Sequence, residues 1–261
     1  MNKTIVCGMI MMMINVGSSV YADQLSFVLD PYCPFTCVDL QSNKLDDPPG
    51  FIVDIVRRVF EARAHTVRIE VLPWKRALYR VNRGDYTGIL GTTRYDSPDL
   101  IFPEQESGVI RGCVYVRADD PWQYTGSDSL AGRNIGGVQG VFYGQFQGYI
   151  DQHDGTDVVQ LLAGTDALPR NVQRLLAGRI DLLLENQSVM LHFFQQQGGA
   201  ERVREAVCVD ELMLYIAFSP QLPKAKEYAR ILSEGMNELR ASGELQAILS
   251  QYGLTDWRKT P

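Results

Sequence analysis

Histidine and tryptophan are scarce in this 261-residue sequence, three of each, and positive charge is in deficit. Lys and Arg number 25 against 31 Asp and Glu, a net charge of -6 with His neutral. A chain without a broad basic field does not condense on a phosphate backbone, so nucleic acid is not an expected partner. His65, His153 and His192 are scattered and form no HExxH pair, and GxSxG is absent, so no metal site or serine nucleophile is expected. The glycines of Gly136-Gly137-Val138-Gln139-Gly140 have neither GxGxxG nor GxxxxGK[ST] spacing, which leaves a nucleotide loop without support and no cofactor expected. No repeat of solenoid spacing and no low-complexity linker interrupts the chain.

Long apolar runs are also missing beyond the N-terminus. Lys3, the apolar stretch Ile5 to Val16 and the closing Val20-Tyr21-Ala22 read as an export signal cleaved after Ala22. The stretch is shorter than the roughly 20 residues that span a bilayer. Nothing later reaches that length, so the mature chain is expected to be periplasmic and free of the membrane. Residues 1–22 carry Lys3 and no acid, which takes the mature charge from -6 to -7.

Of the five cysteines, Cys7 leaves with the signal, and Cys33, Cys37, Cys113 and Cys208 remain for an oxidising compartment. Pro34 suits a tight loop between Cys33 and Cys37, which leaves Cys113 for Cys208. In the chain-entropy model the long link is worth roughly 4–5 kcal/mol and the short one roughly 2. Four thiols with no CxxC pair and no nearby His argue against zinc.

The remaining pattern alternates strand and helix. Leu25, Phe27 and Leu29 recur with period two, and Ile52, Ile55, Val56, Val59 and Phe60 recur at helical spacing. Val67, Ile69 and Val71 make the next strand, a helix runs from Pro73 to Gly84, and residues 86–91 form another strand. The alternation then starts again: strands at 110–117, 134–138, 158–162 and 180–185, helices at 141–151, 166–177 and 187–197, and a mainly helical tail from Pro223 to Gly253. Such βαβ order predicts an α/β fold of two lobes, each a mainly parallel sheet flanked by helices, joined by extended segments near 108–112 and 212–218. The expected division is 23–109 with 215–261 in the first lobe and 110–214 in the second. Ligands of such sheets sit at the carboxyl ends of the strands, here in a cleft that closes by hinge motion.

The ordered segments Pro73-Trp74-Lys75-Arg76-Ala77-Leu78, Val81-Asn82-Arg83-Gly84-Asp85, Leu175-Leu176-Ala177-Gly178-Arg179-Ile180-Asp181 and Ser242-Gly243-Glu244-Leu245 before Tyr252-Gly253 resemble the bacterial extracellular solute-binding proteins of family 3. These are the periplasmic components of polar amino-acid ABC importers. The resemblance implies the type II periplasmic-binding-protein-like fold, and a monomer that binds a small polar, amino-acid-like solute and hands it to an importer's permease.

It also implies site residues. Asp30 and Tyr32 match the loop after the first strand, and Trp74 matches the next cleft edge, or else caps the lobe core. Gly91, Thr92 and Thr93 match a strand end offering N–H and hydroxyl donors. Arg94 matches the family's carboxylate-binding Arg, but lies two residues early relative to Phe102, where Asp96 stands; it is a ligand residue or a solvated loop charge. In the second lobe Gln139, Gly140, Val141, Phe142 and Tyr143 open a helix whose N–H groups suit a carboxylate. The family's ammonium-binding carboxylate falls on Asn186, with Glu185 beside it. Two rivals stay open: a lyase of the cyclohexadienyl dehydratase type using Glu185 or Asp30 as acid or base, and a ligand-sensing module of a membrane receptor.

Overall fold

The computed structural model describes residues 22–258, apart from Phe142, Thr165 and the side chain of Asp210. The export signal expected over residues 1–22 lies outside these residues, Ala22 aside.

The first group of elements comprises β1 (Gln24–Leu29), a small hairpin of β2 (Val38–Asp39) and β3 (Lys44–Leu45), α1 (Phe51–Glu61), β4 (Thr66–Val71), α2 (Trp74–Asn82) and β5 (Gly88–Thr92). β1 pairs in parallel with both β4 and β5. The chain then runs through β6 (Gly108–Arg117) into β7 (Ile135–Val138), α3 (Gln147–His153), β8 (Val159–Leu162), α4 (Ala167–Leu176), β9 (Leu182–Asn186) and α5 (Gln187–Gln197). Here β7 pairs in parallel with β8 and β9. The long β10 (Val203–Phe218) returns, followed by α6 (Ala225–Ser242) and α7 (Glu244–Ser250).

β6 and β10 join the halves. The strand order β4-β1-β5-β10-β6-β9-β7-β8 places these two antiparallel strands between the parallel trios. The register of β10 slips between Glu205 and Val207, between Val209 and Glu211, and again between Tyr215 and Ile216. Irregularities of that kind bend and twist a strand. Cys113 and Cys208 lie directly opposite each other on the two strands and form a disulfide, and Cys33 joins Cys37. Both pairings agree with the sequence reading.

Each trio is covered on both faces. On one side of the first, Leu25, Phe27 and Leu29 pack with Ile52, Ile55 and Phe60 of α1 and Leu232 and Met236 of α6; on the other, Val28 and Ile89 meet Ala77 and Val81 of α2. In the second, Val114, Leu182 and Leu184 pack with Phe146 and Ile150, while Tyr115 and Leu183 meet Val172 and Leu175 of α4 and Met190 of α5. Burial on both faces is why segments such as Leu182-Leu183-Leu184 are continuously apolar rather than alternating. α1 starts close to the Cys33–Cys37 turn because Gly50, at φ +100°, lets its backbone approach; a Cβ there would stand 2.6 Å from the Phe35 carbonyl oxygen.

Two expectations are corrected. The helix expected over 141–151 begins at Gln147, after a single 3-10 turn at Gly144–Phe146. Gly140 and Gly144 have positive φ, and the Tyr143 hydroxyl donates back to the Val138 carbonyl (3.2 Å), a hairpin-like path that delays the helix. The crossover strand expected near 212–218 is 16 residues long and starts at Val203.

Candidate binding cleft

The carboxyl ends of the parallel strands carry the residues singled out in the sequence. After β1, Tyr32 and Thr36 exchange main-chain hydrogen bonds of 2.9 and 3.0 Å. The Thr36 hydroxyl donates to the Asp30 carbonyl oxygen at 2.8 Å, and the Tyr32 ring stacks on Phe35 with centroids 5.0 Å apart. With the Cys33–Cys37 bond, these contacts make a rigid turn presenting Asp30 and Tyr32. The Asp30 carboxyl is half-buried, and burial raises it above the ordinary carboxylate range. Trp74, the first residue of α2, is half-buried against the Val28 and Leu72 core.

At the end of β5, Gly91 holds a left-handed φ of +77°. Thr92 and Thr93 are buried, but their hydroxyls are engaged: Thr92 Oγ1 lies 2.8 Å from Ser97 Oγ, and Thr93 Oγ1 donates to Asp96 Oδ2 at 2.7 Å. Arg94 is also held. Its guanidinium carbon stands 4.8 Å from the Phe102 ring centroid and 4.7 Å from that of Tyr215, and its Nη2 donates to the Pro103 carbonyl at 2.9 Å. An arginine between two rings and tied to a carbonyl acts as a loop staple.

In the second trio, the donors expected after β7 are largely used internally. Gln139 N–H donates to Leu162 (2.9 Å), Val141 N–H to Val138 (3.4 Å), and Tyr143 N–H to the Gln147 side chain (3.1 Å). Gly140 is exposed at φ +85°. Phe142 lies outside the described residues.

At the end of β9 stand two buried polar residues, each 3% exposed. Asn186 is the N-cap of α5: its Oδ1 accepts from Ser188 N–H (2.8 Å) and Val189 N–H (3.3 Å), while its Nδ2 is buried without a partner. Glu185 has one partner among the described residues, the Asn186 N–H at 2.8 Å, and no cation. Burial drives its carboxyl up to about 7, opposed only by that N–H. The field of Glu185 in turn raises Tyr32 on the turn after β1, Tyr143 after β7 and Tyr115 on β6, each already raised by its own burial.

No protein-family model matches the chain, and no curated protein matches it. Solved structures do. The L-cystine solute receptor of Neisseria gonorrhoeae, unliganded and open, aligns at 15% identity over 91% of this chain and 95% of its own, with a TM-score of 0.67. The second substrate-binding domain of Lactococcus lactis GlnP, also open, aligns at 16% identity over 89% and 95%, TM-score 0.62. A histidine kinase sensor domain similar to periplasmic binding proteins aligns at 18% identity over 88% and 95%, TM-score 0.59. The chain has the two-lobe fold of the periplasmic binding proteins.

In that two-lobe fold the cleft lies between the halves. Asp30, Tyr32, Trp74, Gly91, Thr92, Thr93 and Arg94 stand on the first half, and Gln139–Val141, Tyr143, Glu185 and Asn186 on the second. A separate groove of about 800 Å³ borders the start of α1, β6, α5 and α7. None of the sequence-selected residues lines it. Sequence reasoning missed Tyr115, Phe102 and Tyr215; the last two are separated by 113 positions, and only the fold joins them around Arg94.

Proposed function

We propose that this protein is a periplasmic solute-binding protein that closes around a small polar solute and delivers it to an ABC importer. Residues 23–109 with 215–261 form one lobe, 110–214 the other, and β6 with β10 the hinge. The export signal over residues 1–22 directs the chain to the periplasm, where it works as a monomer. The observation that carries this reading is the strand order: antiparallel β6 and β10 stand between two parallel trios, with Tyr32 following β1 of one and Glu185 at the end of β9 of the other. Solute bound between those groups holds the lobes together. The similar structures, a cystine receptor and a GlnP substrate-binding domain, support the same role.

Thermal unfolding against a panel of amino acids, amines and small carboxylates tests it. A true ligand at 100 times its Kd adds about 2.7 kcal/mol of stability. No shift from any compound, with the purified protein shown to be empty, rejects the proposal.

One observation favours a second reading: a buried carboxyl near 7 suits general acid–base work. A periplasmic lyase on this fold would turn over its ligand in a time-resolved mass assay and lose that activity in Glu185→Gln. Unchanged ligand leaves the binding reading alone.

A further inference from the structure

Resting on the binding-protein reading above, the charges that face the cleft specify a ligand class. The first wall supplies Asp30, half-buried and without an ion pair among the described residues. The second supplies Glu185, buried to all but 3% and bonded only to the neighbouring N–H. Against these acids stands Arg94, whose guanidinium is stacked between Phe102 and Tyr215 and tied to Pro103. Lys75 and Arg76 follow Trp74 on α2 and are exposed.

A zwitterionic amino acid has two charges to satisfy in such a cleft. Its carboxylate would enter beside Asp30 and Glu185, neither of which has an ion pair among the described residues, and an unpaired charge taken out of water costs several kcal/mol. A lone cation meets the opposite situation. It supplies the partner that the Glu185 carboxyl lacks, and tyrosine rings near that carboxyl add an attractive face for positive charge.

We propose that the cleft selects an organic cation, an amine or guanidine without an adjacent carboxylate, and that the Glu185 carboxylate of the second wall is its counter-ion.

Isothermal titration of the mature protein with two matched pairs tests this: agmatine against L-arginine, and 1,5-diaminopentane against L-lysine. Members of each pair differ by the carboxylate alone. The expected result is that the amines bind at least about tenfold more tightly than the amino acids. Glu185→Gln then weakens the amines by about tenfold or more, while its melting temperature at about pH 8 equals or exceeds the parent's, showing that it folds. Lys75→Ala leaves amine affinity unchanged. Tighter binding of the amino acids, with loss in Arg94→Ala or Lys75→Ala, overturns the cation class while leaving the binding-protein reading standing. So does amine binding that ignores Glu185→Gln, or binding of neutral or anionic solutes only. Absence of binding to every compound in the wider panel overturns both.

Discussion

The two walls of the cleft solve their polar bookkeeping in opposite ways. On the first, Thr92 is paired with Ser97, Thr93 with Asp96, and Arg94 with two rings and a carbonyl. On the second, Glu185 has no counter-charge among the described residues and Asn186 Nδ2 has no partner. A wall whose polar groups satisfy one another is a preformed platform, indifferent to what docks on it. A wall with unmet valences discriminates, because it gains most from the ligand that completes it. On the proposal above, selectivity resides in the second wall.

The largest expected effect separates the walls by their disulfides. Cys113–Cys208 closes a sequence separation of 95 and staples the hinge strands, whereas Cys33–Cys37 closes a separation of 4 in the first-wall turn. Replacing the first pair by Ser should lower unfolding stability by roughly 4–5 kcal/mol and the second by roughly 2, read from urea unfolding with the slope fitted for each variant. Equal losses would mean that the hinge link does not constrain the unfolded chain as its length requires.

Next comes the pH dependence of the second wall. The Glu185 carboxyl titrates at about 7 in the folded protein against an ordinary value of 4.5. Between those values the native state holds a proton that the unfolded chain has released. Stability attributable to this group therefore falls as pH climbs from about 4.5 to about 7, by about 3 kcal/mol in all, and is level above. In Glu185→Gln that slope should vanish, leaving the variant more stable than the parent at pH 8 by a similar amount. Urea unfolding across the range decides it; an unchanged slope would place the titration elsewhere.

On the first wall, Arg94→Ala should cost about 1–2 kcal/mol, from two cation–ring contacts and one hydrogen bond. Solute affinity should not move. A loss of affinity without loss of stability would make Arg94 a ligand residue and erase the contrast between the walls.

The unequal legibility of the walls has the same physical root. Helix α5 and the cysteine pairing could be read from local spacing, and α1 from Ile52, Ile55, Val56, Val59 and Phe60, because each is a local or pairwise pattern. The clamp on Arg94 could not, since Phe102 and Tyr215 come from separate segments that meet only through the β5–β10 pairing. The state of Glu185 was hidden differently: its position after Leu182-Leu183-Leu184 marks a strand end, but the absence of a cation opposite is a property of the packed interior. The delayed start of α3 depended on Tyr143 bonding back to Val138, a contact no helical periodicity records. Half of β10 was missed because its outer residues are only partly buried and its register slips twice, which blurs the alternation.

The smallest effect is the most discriminating, since it changes the second wall without disturbing its frame. Asn186 caps α5 through Oδ1 alone, so Asn186→Ala should remove about 1 kcal/mol of stability, as loss of a helix N-cap does. Asn186→Asp keeps an accepting oxygen in the same place, adds a negative charge where the helix dipole favours one, and replaces the unpartnered Nδ2 by a second oxygen. If selectivity resides in this wall, the added charge should strengthen cation binding, and the gain should shrink as salt rises. Should Asn186→Asp leave affinity untouched while Glu185→Gln abolishes it, the discriminating surface narrows to the single carboxyl of Glu185, and Asn186 is a helix cap and nothing more.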